Sequence, residues 1–224
     1  MQMTLATVLL EANQDQTQTV LQLLIQGGWY IMIPMALMSL IGMYVFFERI
    51  MAIQKAKKVS PDFMERLKDY ISQGQLASAQ NLCSESNTPL GRMLEKGISR
   101  IGKPLKDISV AIENVGKLEI YRLEAKLSTL ATVAGAAPML GFLGTVIGMV
   151  NVFGEMKSSE SGDIVEQISG GTEQAMITTI VGLIIGILAY MAYNHLVSKV
   201  SKVVHRLEAN SLEFIDILEE PAHR

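Results

Sequence analysis

Three long stretches of this chain contain no aspartate, glutamate, lysine or arginine: residues 16–47, 127–154 and 174–198, or 32, 28 and 25 residues. About 20 apolar residues in a helix cross the roughly 30 Å of bilayer hydrocarbon. There only a helix or a closed barrel satisfies its own backbone. One such run is compatible with the buried helix of a soluble enzyme; three are not. Cysteine is nearly missing as well, and the single Cys83 excludes a disulfide within the chain. His195, His205 and His223 lack metal-type spacing, so no metal and no cofactor is expected. No nucleophile motif is present, and Gly170-Gly171 lacks the surroundings of a phosphate-binding loop. These absences point away from an enzyme. A net charge of −3 offers nucleic acid nothing to bind.

What charge there is sits unevenly. No lysine or arginine precedes the first run, 14 lie in residues 48–126, Lys157 alone falls between the second and third runs, and four follow the third. Basic residues collect on the cytoplasmic side of a membrane. The expected organisation is an external tail over 1–22, a first span over 23–47 and a cytoplasmic helical domain over 48–126. A second span over 127–154, an external loop over 155–173, a third span over 174–198 and a cytoplasmic C-terminal helix over 199–224 complete it. The fold class is all-α, a polytopic membrane protein whose second and third spans extend into a cytoplasmic helical bundle. Residues 1–10 lack a basic region and read as part of the tail rather than a secretory signal. Residues 19–25 are expected to form an interfacial helix.

The cytoplasmic part carries helical punctuation. Ser60 is the expected cap of a helix with Pro61 at its first position, and Phe63, Leu67, Tyr70 and Ile71 recur at helical spacing up to Gly74. Residues 76–84 and 89–101 are two further helices, the latter ended by Gly102-Lys103-Pro104. Ile108, Ile112, Val115, Leu118, Tyr121 and Leu123 trace an apolar side on the next, which is expected to run unbroken from 107 to 153. Beyond the third span, Leu196, Val200, Val203, Val204 and Leu207 continue an apolar stripe. Such stripes pack against their own subunit or against other copies.

Within the spans, small residues dominate the second and third. Gly144 and Gly148, and Gly182 and Gly186, fit the small-xxx-small spacing that lets membrane helices approach closely. The first span, rich in methionine, leucine, isoleucine and phenylalanine, reads as the lipid-facing one. Polar groups are few, and Thr178-Thr179 cluster one turn from Gln174. A threonine hydroxyl often just bonds to the preceding turn. No aspartate, glutamate, lysine or arginine lies deep in any span, His195 is counted as neutral, and Glu173 stands at the edge of the third. Hydroxyls can line a water path but do not exchange protons near neutral pH, so any proton carrier must come from a partner.

The run Ala136-Ala137-Pro138-Met139-Leu140-Gly141-Phe142-Leu143-Gly144-Thr145-Val146-Ile147-Gly148-Met149 resembles the second-span signature of the MotA/TolQ/ExbB proton-channel family. Gly27-Gly28-Trp29 through Pro34 to Glu48-Arg49 resembles its first span. Ala175-Met176-Ile177-Thr178-Thr179, with Gly182-Leu183 and Tyr193-Asn194, resembles its third. The likeness covers residues 23–207, and three spans with an external N-terminus match the ExbB and TolQ branch.

That resemblance implies a homo-pentamer in the bacterial inner membrane around an ExbD/TolR-type single-span partner whose intramembrane aspartate carries protons. Proton flow would then drive a motor acting on the outer membrane through a TonB- or TolA-like protein, with TonB-dependent uptake favoured over TolQ-like envelope maintenance. By position, Thr145 and Thr179 would face the partner helices, with Thr178, Gln174 and Glu173 along the same path. Pro138, Gly141, Gly144, Gly148, Gly182 and Gly186 would give the close, partner-facing wall. The family's third-span glutamate falls at Gln174, whereas the acid here is Glu173, about 100° away around a helix. Either Glu173 turns inward or Gln174 keeps the polar contact without charge. A scaffold that conducts nothing is the competing function.

Overall fold

A computed structural model describes residues 28–58, 60, 62–158 and 164–219. Among them are seven α-helices and no strand: α1 Trp29–Ala56, α2 Phe63–Ser72, α3 Leu76–Ser86, α4 Pro89–Ile98, α5 Leu105–Glu124, α6 Leu127–Ser158 and α7 Ile164–Glu219. The all-α membrane class stands. Three helical stretches are long and apolar enough to cross a bilayer, in α1, α6 and α7. The expected helix over 19–25 lies outside the described residues. The expected loop over 155–173 is largely helical, since α6 runs to Ser158 and α7 starts at Ile164.

The chain divides into two compact units, one from 1–43 with 131–191 and the other from 44–130 with 192–224. In the first unit, α1 opens at Gly28, whose carbonyl accepts the Met32 amide at 3.1 Å. Gly28 has φ +80°, a left-handed value that glycine takes without a Cβ penalty. Ile31, Met32 and Met35 are buried, while Ile33, Leu37 and Leu40 on the other side are exposed. Exposure is not peculiar to this span. Met139, Phe142, Val146, Val150 and Phe153 of α6, and Met176, Ile180, Ile184 and Ile187 of α7, stand equally open. Apolar stripes of that size belong against lipid or other subunits.

The second unit is a helical bundle. The start of α2 differs from expectation: Asp62 takes the cap position without a side-chain bond, and Ser60 contributes only its carbonyl to the Phe63 amide. Pro61 is outside the described residues. Thr88 is the true cap here, its Oγ1 accepting the Gly91 amide at 3.2 Å with Pro89 at the first helical position. Leu67, Ala79, Leu90, Leu94, Ile108, Ile112, Leu196, Val200, Leu207 and Phe214 form the buried core. Each fully buried large aliphatic contributes about 1.5–3 kcal/mol. Gly97 belongs to this core because a methyl there would meet Ile112 and Phe214 at 2.7 and 2.8 Å. On α5 the buried face is Ile108, Ala111, Ile112, Gly116, Glu119 and Leu123, whereas Leu118 and Tyr121 point out. Nor does α5 continue into α6: the helix breaks at Ala125-Lys126, where Lys126 has φ +64°.

Candidate functional site

In the first unit, α6 and α7 run antiparallel with their backbones almost touching. A methyl on Gly182 would sit 2.6 Å from the Ala137 carbonyl oxygen and 3.0 Å from the Gly141 Cα. One on Gly141 would reach the Thr178 carbonyl at 2.9 Å, and one on Gly148 the Ala175 Cβ at 2.9 Å. Gly144 faces the Thr178 side chain, Gly186 faces the Pro138 ring, and Gly171 faces Val152. Moving forward along α6 moves backward along α7, so this is one continuous seam of small residues. Pro138, Gly141, Gly144, Gly148, Gly182 and Gly186 therefore all meet within the subunit. Their missing-Cβ positions are filled by α6–α7 packing, which is the helix-packing part of the expectation. The physical cause is plain: once backbones are this close, the space at a missing Cβ is already filled.

The hydroxyls lie on and beside this seam. Thr178 is 1% exposed, and its Oγ1 donates to the Ala175 carbonyl at 2.8 Å while reaching the Gly141 carbonyl at 3.4 Å. Its side chain fills the space over Gly144. Thr179 is half-buried and donates to the same Gly141 carbonyl at 3.1 Å. Thr145, also half-buried, donates back to Phe142 at 2.6 Å. Thr179 and Thr145 thus remain partly open at the edge of the seam, with hydroxyl oxygens able to accept further hydrogen bonds.

At the far end of α7, Gln174 and Glu173 part company. The Gln174 amide nitrogen lies 3.5 Å from the Tyr30 hydroxyl and against Gly28. Its polar contact is with the start of α1. Glu173 is exposed, near the head of the open stripe formed by Met176 and Ile180. The structure brings Thr178, Thr179, Gly141 and Gly144 together, and leaves Glu173 apart from them.

A second polar cluster, in the other unit, escaped the reading of the spans. Glu119 is 3% exposed on the apolar face of α5, yet its carboxylate accepts from Arg92 Nε at 3.0 Å and Arg122 Nη1 at 2.6 Å. Its hydrogen bond raises the Arg92 pKa further above the ordinary arginine value, against a smaller opposing effect of burial. Arg49 is buried, donates to Glu48 at 2.7 Å, and reaches the Arg122 carbonyl at 3.0 Å. Glu48 also takes Lys126 at 2.7 Å. A sequence signal existed: Glu119 sits at helical spacing from Ile112, Gly116 and Leu123, so burying that face required cationic partners. Among the described residues no group of histidine, cysteine, aspartate or glutamate could hold a metal ion.

Residues 85–209 match the model of the MotA/TolQ/ExbB proton channel family. This chain belongs to that family. The matched segment includes the whole α6–α7 seam and Glu119. Relatives come from both named types of the branch. The chain is similar to the Tol-Pal system protein TolQ of Pseudomonas aeruginosa, at 26% identity over 86% of this chain and 88% of that one. A biopolymer transport protein ExbB homologue of Methanothermobacter thermautotrophicus is 25% identical over 85% and 67% of the two chains. The biopolymer transport protein ExbB of Neisseria meningitidis is 23% identical over 74% and 80%. The chain is thus a multi-pass membrane protein of the ExbB/TolQ branch, whose members are energy-transducing proton-channel subunits.

Proposed function

We propose that this chain is the wall subunit of a proton-driven motor in the inner membrane and does not itself carry the proton. One observation carries the reading: the membrane parts of α6 and α7 offer hydroxyls at Thr145 and Thr179 but no aspartate, glutamate, lysine or arginine over 127–154 or 174–198, and His195 stands only at the cytoplasmic end of the third span. In a proton-channel family, the titrating group must then be supplied by a second protein. An ExbD/TolR-type partner with one span and an intramembrane aspartate fits that need. Five copies of this chain would surround it, and a TonB- or TolA-like protein would convey the motion outward. The N-terminus is periplasmic and the C-terminus cytoplasmic on the distribution of basic residues. TonB-dependent uptake is the favoured process; the likeness to TolQ supports envelope maintenance as the alternative.

The seam gives the mechanism its stiffness. With glycine packed on backbone carbonyls, α6 and α7 move as one plank, so a partner rotating against the Thr145 and Thr179 edge meets a fixed wall. Removing a hydroxyl while keeping shape tests this. Thr145→Val and Thr179→Val should each lower partner-dependent, gradient-driven transport by about tenfold, the rate equivalent of one lost hydrogen bond along a water path, while the complex still assembles. Full transport in both single variants would leave those hydroxyls outside the path. The scaffold reading draws on the same open apolar stripes, and it is favoured if the intact complex passes no protons.

A further inference from the structure

Residues 117–134 contain neither glycine nor proline, and Ala125 and Lys126 are both good helix formers. Local sequence therefore asks for one continuous helix, yet α5 ends at Glu124 and α6 begins at Leu127. Lys126, a residue with a Cβ, is held at φ +64°, where a side chain crowds its own backbone. Something outside the segment must hold the break open.

The contacts identify it. In an unbroken helix the Arg122 carbonyl accepts the amide four residues on, that of Lys126. Here Arg49 Nη1 of α1 donates to that carbonyl at 3.0 Å. Glu48 completes the hold, one oxygen on Arg49 Nη2 and the other on Lys126 Nζ, each at 2.7 Å. The Lys126 ammonium also lies 5.8 Å from the Tyr44 ring centre. The hold is not saturated: among the described residues Arg49 Nε is buried with no partner, which disfavours the docked arginine.

We propose that Glu48 and Arg49 are positioning residues that keep the α5–α6 joint open, and that the joint has a second, closed arrangement. In the closed arrangement Arg49 leaves, the Lys126 amide takes the Arg122 carbonyl, and residues 122–130 become helix. The conflict between local preference and observed backbone marks a two-state element rather than a fixed kink. Its switch is a competition of two donors for one oxygen.

Hydrogen–deuterium exchange over peptides covering 122–130, in nanodiscs, reads the two arrangements directly. Arg49→Ala should raise protection of amides 126–130 by about tenfold or more as the helix closes. Lys126→Gly, which accepts positive φ freely, should cancel that gain in the double variant. Glu48→Gln keeps the guanidinium but loosens its hold, and should shift protection in the same direction by less. Shielding of the buried Cys83 from alkylation reports whether the bundle is intact; if Arg49→Ala exposes it, Glu48→Gln alone decides. Unchanged or lowered protection in a variant whose Cys83 stays shielded would overturn the two-state joint.

Discussion

Gly182 and Cys83 show how much a single position carries. A methyl on Gly182 meets backbone on both sides, the Ala137 carbonyl and the Gly141 Cα, and backbone cannot swing away as a long side chain can. Gly182→Ala should destabilise the α6–α7 pair by about 1–3 kcal/mol, read as a lower thermal midpoint in detergent. Gly135, which has open space within 4 Å, should accept alanine with no loss. Cys83 makes the opposite case, a side chain sealed from outside. Burial, helped by the nearby Glu95 charge, pushes its thiol from 9.0 up to about 12. At pH 8 the folded protein should therefore resist maleimide, and denaturant should expose one reactive thiol per chain. The raised value also sets a sign. The folded state keeps the proton that the unfolded state releases, so this group's contribution is complete below about pH 9 and declines as pH rises toward 12.

Elements were legible to different degrees. The spans could be read because hydrocarbon excludes charge so strongly that 28 residues without one leave few alternatives. The helix start at Pro89 agrees with the sequence reading, whereas the helix expected from Ser60 begins at Phe63 with Asp62 at the cap position. Two features of α5 were hidden. Leu118 and Tyr121 looked like core because apolar residues recur there, but the face turned inward holds Glu119, whose burial depends on Arg92 and Arg122. The break at Lys126 was invisible because its cause is Arg49, 77 positions away in the chain. The α6–α7 glycines were recognised as packing residues; that they pack on each other depends on pairing that spacing alone does not contain. Glu119 makes the element-scale test. Glu119→Ala leaves two guanidinium groups without their carboxylate and should cost on the order of 3 kcal/mol, toward the low end for buried pairs because both arginines reach solvent. Chemical unfolding of the purified protein checks it, and Lys117→Ala, at an exposed pair with Glu113, should change stability by less than about 1 kcal/mol.

At the scale of the whole molecule, membership of the ExbB/TolQ branch joins to a simple inventory: a closely packed, hydroxyl-edged pair of helices with no aspartate, glutamate, lysine or arginine over 127–154 or 174–198. Proton transfer needs a group that binds and releases a proton near neutral pH, and serine- or threonine-type hydroxyls do not. The most direct test measures proton flux into liposomes holding this chain alone, then this chain assembled with an ExbD/TolR-type partner, and then the same assembly with the partner's intramembrane aspartate changed to asparagine. The expected result is flux in the second case only. Selective flux through the chain by itself, at the rate of the complete assembly, would contradict the division of labour between wall and carrier.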